Sequence, residues 1–210
     1  MIGPHSLARL LSPVGFVLAA LCMLLPFVTI RIDFEAASAS MDGVYQLSYA
    51  GHDMLWDGRP DLLLRQDQDG DPSNGLEELR FENFGGAYMF IAPRIEQQPW
   101  LYVVAVLVCL GAAAAALPRQ WLRAVVSAAT ALPAALALLA ATVLARQGLI
   151  DALYALLAPD GETPPVDLAR FVHLGYGFWL ALALLTFVGL GNVWYAVPGR
   201  PAERATHVPR

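Results

Sequence analysis

Four apolar runs, separated by one long and one shorter polar interval, organise this chain. They extend from about Leu10 to Ile30, Trp100 to Leu117, Trp121 to Ala145 and Phe171 to Val197. A helix needs ~20 mainly apolar residues to cross ~30 Å of hydrocarbon, and each run is close to that length without a charge near its centre. Arg123 lies within one turn of the third run's start, where its side chain can snorkel to an interface. Pro26 and Pro133 read as tolerated kinks. The predicted class is a membrane all-α protein with a small β element: a four-transmembrane-helix bundle with a small extracytoplasmic antiparallel sheet in the first loop.

The polar intervals carry a different period. Ile30, Ile32 and Phe34 alternate with Arg31, Asp33 and Glu35, which predicts a strand leading out of the first helix. Tyr45, Leu47 and Tyr49 alternate with Gln46 and Ser48 and predict a second strand. Tyr88 to Ile91 predict a third. Leu149, Ile150, Leu153, Leu156 and Leu157 fall on one helical face, either extending the third span or lying on the membrane surface. The organisation expected is therefore residues 1–30 as N-terminus and first span, 31–99 as an extracytoplasmic segment, and 100–145 as the second and third spans. Residues 146–170 form a second outer segment with a short amphipathic helix, 171–197 the fourth span and 198–210 a cytoplasmic tail.

Composition supports this division. The chain has 210 residues, 57% apolar and 15% charged, with mean hydropathy +0.52. Soluble domains carry about 25% charged residues, so too few charges are present to cover a water-facing surface of this size. The net charge of −5 argues against a nucleic-acid face. All basic residues are arginine, which suggests a GC-rich, bacterial genome. Six arginines and one glutamate lie in the N-terminus, the turn between spans two and three, and the tail; seven arginines and seventeen carboxylates lie in 31–99 and 146–170. The positive-inside rule then puts both termini in the cytoplasm of a cell-membrane protein. The first span is longer than a signal-peptide apolar core, and Ala37-Ser38-Ala39 lies well beyond it, so an uncleaved helix is expected.

Trp100, Tyr102, Trp121, Trp194 and Tyr195 lie near span ends, as interfacial aromatics do, whereas Trp179 sits inside the fourth span. Gly111, Ala115, Ala137, Ala141, Ala145, Gly189 and Gly191 supply small surfaces for helix contact. Four spans, internal termini and a large first outer loop are similar in topology to claudin-like proteins. The claudin signature of Gly-Leu-Trp followed by two cysteines is absent, so junction formation does not follow.

The sharpest chemical pattern is Asp67-Gln68-Asp69-Gly70-Asp71-Pro72-Ser73-Asn74-Gly75-Leu76-Glu77-Glu78. Carboxylates fall at positions 1, 3, 5 and 12, the spacing with which alternate side chains and a distant glutamate enclose calcium. The stretch resembles the calcium loops of EF-hand, dockerin and thrombospondin type-3 modules. That resemblance implies Asp67, Asp69, Asp71 and Glu78 as side-chain ligands and Ser73 as a carbonyl ligand to Ca2+. Pro72 replaces the usual glycine at position 6, and its fixed φ cannot make that turn. The alternative reading is an acidic, solvated turn without metal.

His52, Asp53 and Asp57 beside Trp56 are a weaker acid–base candidate, in a turn where such residues are common on surfaces. His173 reads as interfacial. Cys22 and Cys109 lie in apolar runs and read as packing residues. No Cys-x-x-Cys pair, intramembrane carboxylate, axial histidine pair, P-loop or nucleophile elbow occurs. Thr130, Thr142, Thr186 and Asn192 are isolated polar groups able to bond to backbone carbonyls. The expectation is a non-catalytic accessory, scaffold or partner-binding protein. Its partners would be the lipid bilayer and another membrane or envelope protein. A calcium-dependent sensor or adhesion module and a small permease or lipid-handling protein stand as alternatives.

Overall fold

The computed structural model describes residues 4–34, 43–56, 61–66, 77–78, 95–157 and 168–196. The chain is mostly helical with a small antiparallel sheet. Two of its helices are long and apolar enough, by length and composition, to cross a membrane.

Helix α1 (Pro4–Cys22) is followed by β1 (Pro26–Phe34), β2 (Gly43–Ala50), a single turn α2 (Asp53–Trp56), β3 (Asp61–Gln66) and β4 (Glu77–Glu78). Then come α3 (Pro99–Ala113) with a 3-10 turn at Ala114–Ala116, α4 (Gln120–Leu157), a 3-10 turn at Leu168–Arg170, β5 (Val172–Leu174) and α5 (Tyr176–Ala196). The two membrane-length helices are α4 and α5; α1 and α3 are shorter and also apolar. Pro99 opens α3 at a position where a missing N–H costs nothing. The four helices pack in a ring, α1 on α3, α3 on α4, α4 on α5 and α5 on α1.

The sheet has strand order β4-β3-β2-β1-β5, all pairs antiparallel. Ile30 faces Leu47, and Val28 faces Tyr49, with an irregular register between Pro26 and Val28. That irregularity is a bulge, and it lets both Phe27 and Val28 be fully buried.

Two expected boundaries move. The first helix stops at Cys22, and residues 26–30 are strand; Pro26 therefore begins β1 rather than kinking a span. β-Branched Val28, Thr29, Ile30 and Ile32 favour extended backbone, and β2 pairs with all of it. The fourth helix starts at Tyr176 instead of Phe171, because Val172–Leu174 pair with β1. Of the two placements open to the amphipathic stretch after Ala145, extension of the third span is the one observed, in place of a separate short helix in 146–170. The stretch completes α4, whose 38 residues span roughly 57 Å; Leu149, Ile150 and Leu153 are buried, and α4 also contacts β1, β5 and the adjoining 3-10 turn. The expected strand at Tyr45–Tyr49 lies within β2; the one at Tyr88–Ile91 lies outside the described residues.

Candidate functional site, an apolar belt and the sheet it carries

Each of the four helices exposes a run of apolar side chains. Val14, Val17, Leu18 and Leu21 on α1, Val103, Val106 and Leu110 on α3, Leu136, Leu139, Val143 and Leu144 on α4, and Leu180, Phe187, Leu190 and Val193 on α5 are all exposed. Neither α3 nor α5 contains a charged residue. On α4 none occurs between Arg123 and Arg146, a rise of roughly 35 Å. Trp121, Trp194 and Tyr195 lie exposed toward one end of this belt and Trp56, Trp100, Tyr102 and Tyr176 toward the other. Trp179 is exposed on α5, stacked edge-on against Phe178 at 4.9 Å.

Three polar side chains inside the belt are satisfied locally, whereas the buried Ser127 hydroxyl has no hydrogen-bond partner among the described residues. Thr130 donates to the Val126 carbonyl at 3.0 Å and Thr142 to that of Leu138 at 2.9 Å. Asn192 donates to the Val188 carbonyl at 2.7 Å and to the Ser12 hydroxyl at 2.9 Å, linking α5 to α1. Gly111 and Gly189 give the close contact their placement suggests. The Phe16 ring occupies the space a side chain at Gly111 would need, and Leu132 does the same at Gly189. Ala137, Ala141 and Ala145 are buried. Gly191 faces open space.

Between α1, α3, α4 and α5, beneath α2, lies a cavity of about 120 Å³ lined by apolar side chains and the Cys109 thiol. Leu55 lies at its α2 end, Ala19, Ala20 and Met23 form the α1 wall, and Val104, Ala105 and Val108 the α3 wall. Cys22 is buried; Cys109 is exposed.

The sheet is fastened to the belt at two places. Arg146 reaches from α4 to donate from Nε to the Val172 carbonyl and from Nη2 to that of Ala169, both at 3.2 Å. Meanwhile Gly175 and Gly177 let the start of α5 press on the α1–β1 corner. A side chain at Gly175 would meet the Pro26 carbonyl oxygen, and one at Gly177 would meet Leu25 and the same carbonyl. Phe27 stacks edge-on against Phe178 at 6.3 Å. Tyr49 is fully buried on β2, and that burial pushes its phenol pKa up.

At the sheet-side end of the bundle, α2 is tied to α3. Tyr102 donates to the Leu55 carbonyl at 2.7 Å, and Gln97 Nε2 donates to that of Trp56 at 3.0 Å. His52 and Asp53 do come together, with Nε2 to Oδ1 at 3.1 Å. The other carboxylate oxygen accepts the Ala50 N–H at 3.2 Å, which makes the carboxylate a brace for the turn. Asp57 lies outside the described residues. His173 is exposed on β5 opposite Thr29. Of the calcium pattern, Asp67, Asp69, Asp71 and Ser73 lie outside the described residues, and Glu78 pairs with Leu63 at the sheet's far edge. Among the described residues no group of three or more His, Cys, Asp or Glu is placed to hold a metal ion.

Ser12, Phe16 and Arg146 contribute to this arrangement without belonging to any motif. Only Arg146 leaves a trace in the sequence, as the charge that ends a long neutral run. No protein-family model matches the chain, and no relative is found among curated proteins.

Proposed function

We propose that this protein is a non-catalytic, four-span integral membrane protein with both termini in the cytoplasm. In this reading it acts as an accessory, scaffold or partner-binding subunit through its acidic extracytoplasmic segment. The observation that carries the reading is the apolar outer surface shared by all four helices. Soluble monomers rarely expose apolar patches beyond a few hundred Å², whereas a helix apolar on every side suits hydrocarbon. The neutral interval between Arg123 and Arg146 has the thickness of a bilayer core, ~30 Å. Their guanidiniums bond to backbone carbonyls at either end, Arg123 to Leu117 and Arg146 to Val172 and Ala169.

What supports a partner-binding role is the way the sheet is held. Hydrogen bonds and close backbone contacts join it to three helices, so a partner docking on it is mechanically coupled to the bundle. Single cysteines introduced near Asp69 and near His207 test the topology. A membrane-impermeant maleimide on intact cells labels the first and spares the second; the reverse pattern refutes the proposal. A photo-crosslinking residue at position 69 should give one discrete adduct in native membranes, and a smear or none argues against a dedicated partner. The apolar cavity favours a second reading, in which the bundle handles an apolar cargo.

A further inference from the structure

We propose that the cavity beneath α2 receives the end of a lipid acyl chain, which enters between α1 and α3 from the leaflet on the sheet side. The inference rests on the membrane reading above. Its lining offers a water molecule no hydrogen-bond partner beyond a thiol, and an apolar cavity of similar size, ~150 Å³, stays dry and takes hydrocarbon. The lining residues that reach the outer surface are Ala20 on α1 and Cys109 on α3, so the mouth opens sideways between these helices. Ala105 and Cys109 lie six to ten residues into α3, roughly 9–15 Å from its sheet-side end. That is the depth of acyl chains rather than headgroups.

Other surfaces lack this enclosure. Phe16, fully buried against Gly111, closes the bundle just beyond Cys109, and Leu55 closes it toward the sheet. The groove on α5 from Trp179 to Gly191 is shallow and faces outward, so a chain lying there keeps most of its surface against other lipids. A chain end inside the cavity instead gains close contacts on all sides, each small and collectively substantial.

The test uses the full chain in nanodiscs of phosphatidylcholine, part of it carrying a diazirine at one acyl terminus. After irradiation, adducts are mapped by mass spectrometry. Adducts at Ala20, Ala105 and Cys109 should exceed those at Leu136 and Phe187 about fivefold, the scale of several buried contacts, although Leu136 and Phe187 are 69% and 66% exposed. Ala105→Leu and Ala20→Leu fill the cavity from opposite walls, so one serves if the other fails to fold. Either should bring the cavity adducts down to the Leu136 level and leave those at Leu136 and Phe187 unchanged. Equal labelling of all five positions in the unmodified protein overturns the acyl-chain proposal while leaving the membrane reading intact. Absence of adducts at Leu136 and Phe187 overturns the membrane reading itself, and this proposal with it.

Discussion

Arg146 offers the most direct test of how the sheet is coupled to the helices. Val172 and Ala169 each give a carbonyl to its guanidinium at 3.2 Å. Val172 belongs to β5, which among the described residues is an edge strand paired with β1 alone. Arg146→Met keeps the aliphatic stem and removes both donors. Hydrogen bonds from charged donors are worth about 1.5–3 kcal/mol when buried and close. These two are long and the side chain is half-buried, so about 1–1.5 kcal/mol each is appropriate, or about 2–3 kcal/mol together. The loss falls on local opening of β5, not on the helix ring. Hydrogen exchange by mass spectrometry in nanodiscs or detergent reports it through the amides that close the β1–β5 ladder, Arg31 to Phe171 at 3.0 Å and Gly175 to Phe27 at 2.7 Å. Exchange there should accelerate about 30- to 150-fold, with the amides of α4 around Leu138 unchanged. Arg146→Lys, which keeps one point donor, should fall between. Unaltered exchange at Arg31 and Gly175 in Arg146→Met would refute the idea that this arginine holds the sheet on.

Gly175→Ala and Gly177→Ala should each lower the thermal midpoint by the equivalent of at least about 2 kcal/mol, because the new methyl meets backbone that cannot move aside. Gly191→Ala, facing open space, should be neutral or slightly stabilising; circular-dichroism melts in one detergent compare all three. A double-mutant cycle on Ser12→Ala and Asn192→Ala should return a coupling of about 0.6 kcal/mol, the usual scale for polar contacts between helices in lipid. Coupling indistinguishable from zero would mean the pair holds nothing together. Tyr49 sets an alkaline limit. Burial raises its folded-state pKa above the ordinary value of 10.0, so the unfolded chain loses its proton first as pH rises. The stability tied to the neutral phenol is complete below pH about 10 and declines above it. Chemical-denaturation midpoints from pH 8 to 11 should fall less steeply in Tyr49→Phe than in the natural chain.

The order of elements was legible from residue periods: four apolar runs, a strand pattern from Ile30 to Phe34 and another from Tyr45 to Tyr49. Gly111 and Gly189 were read as contact surfaces and are so, and Ala137, Ala141 and Ala145 are buried, whereas Gly191, read the same way, faces open space. Boundaries were less legible. Residues 26–30 and 171–174 are as apolar as the helices beside them, and a short apolar run has no period that separates buried strand from buried helix. Their state was settled by pairing: β1 is hydrogen-bonded on one side to β2 and on the other to β5, a partnership between segments more than a hundred residues apart. The same distance hides Arg146, whose acceptors lie more than twenty residues away, and the cavity, whose walls come from five elements. Hydrophobic pattern is a property of neighbours along the chain, so the sequence alone determined which segments leave water. Which groups meet once they have left depends on close packing across the ring, and only the tertiary structure decided that.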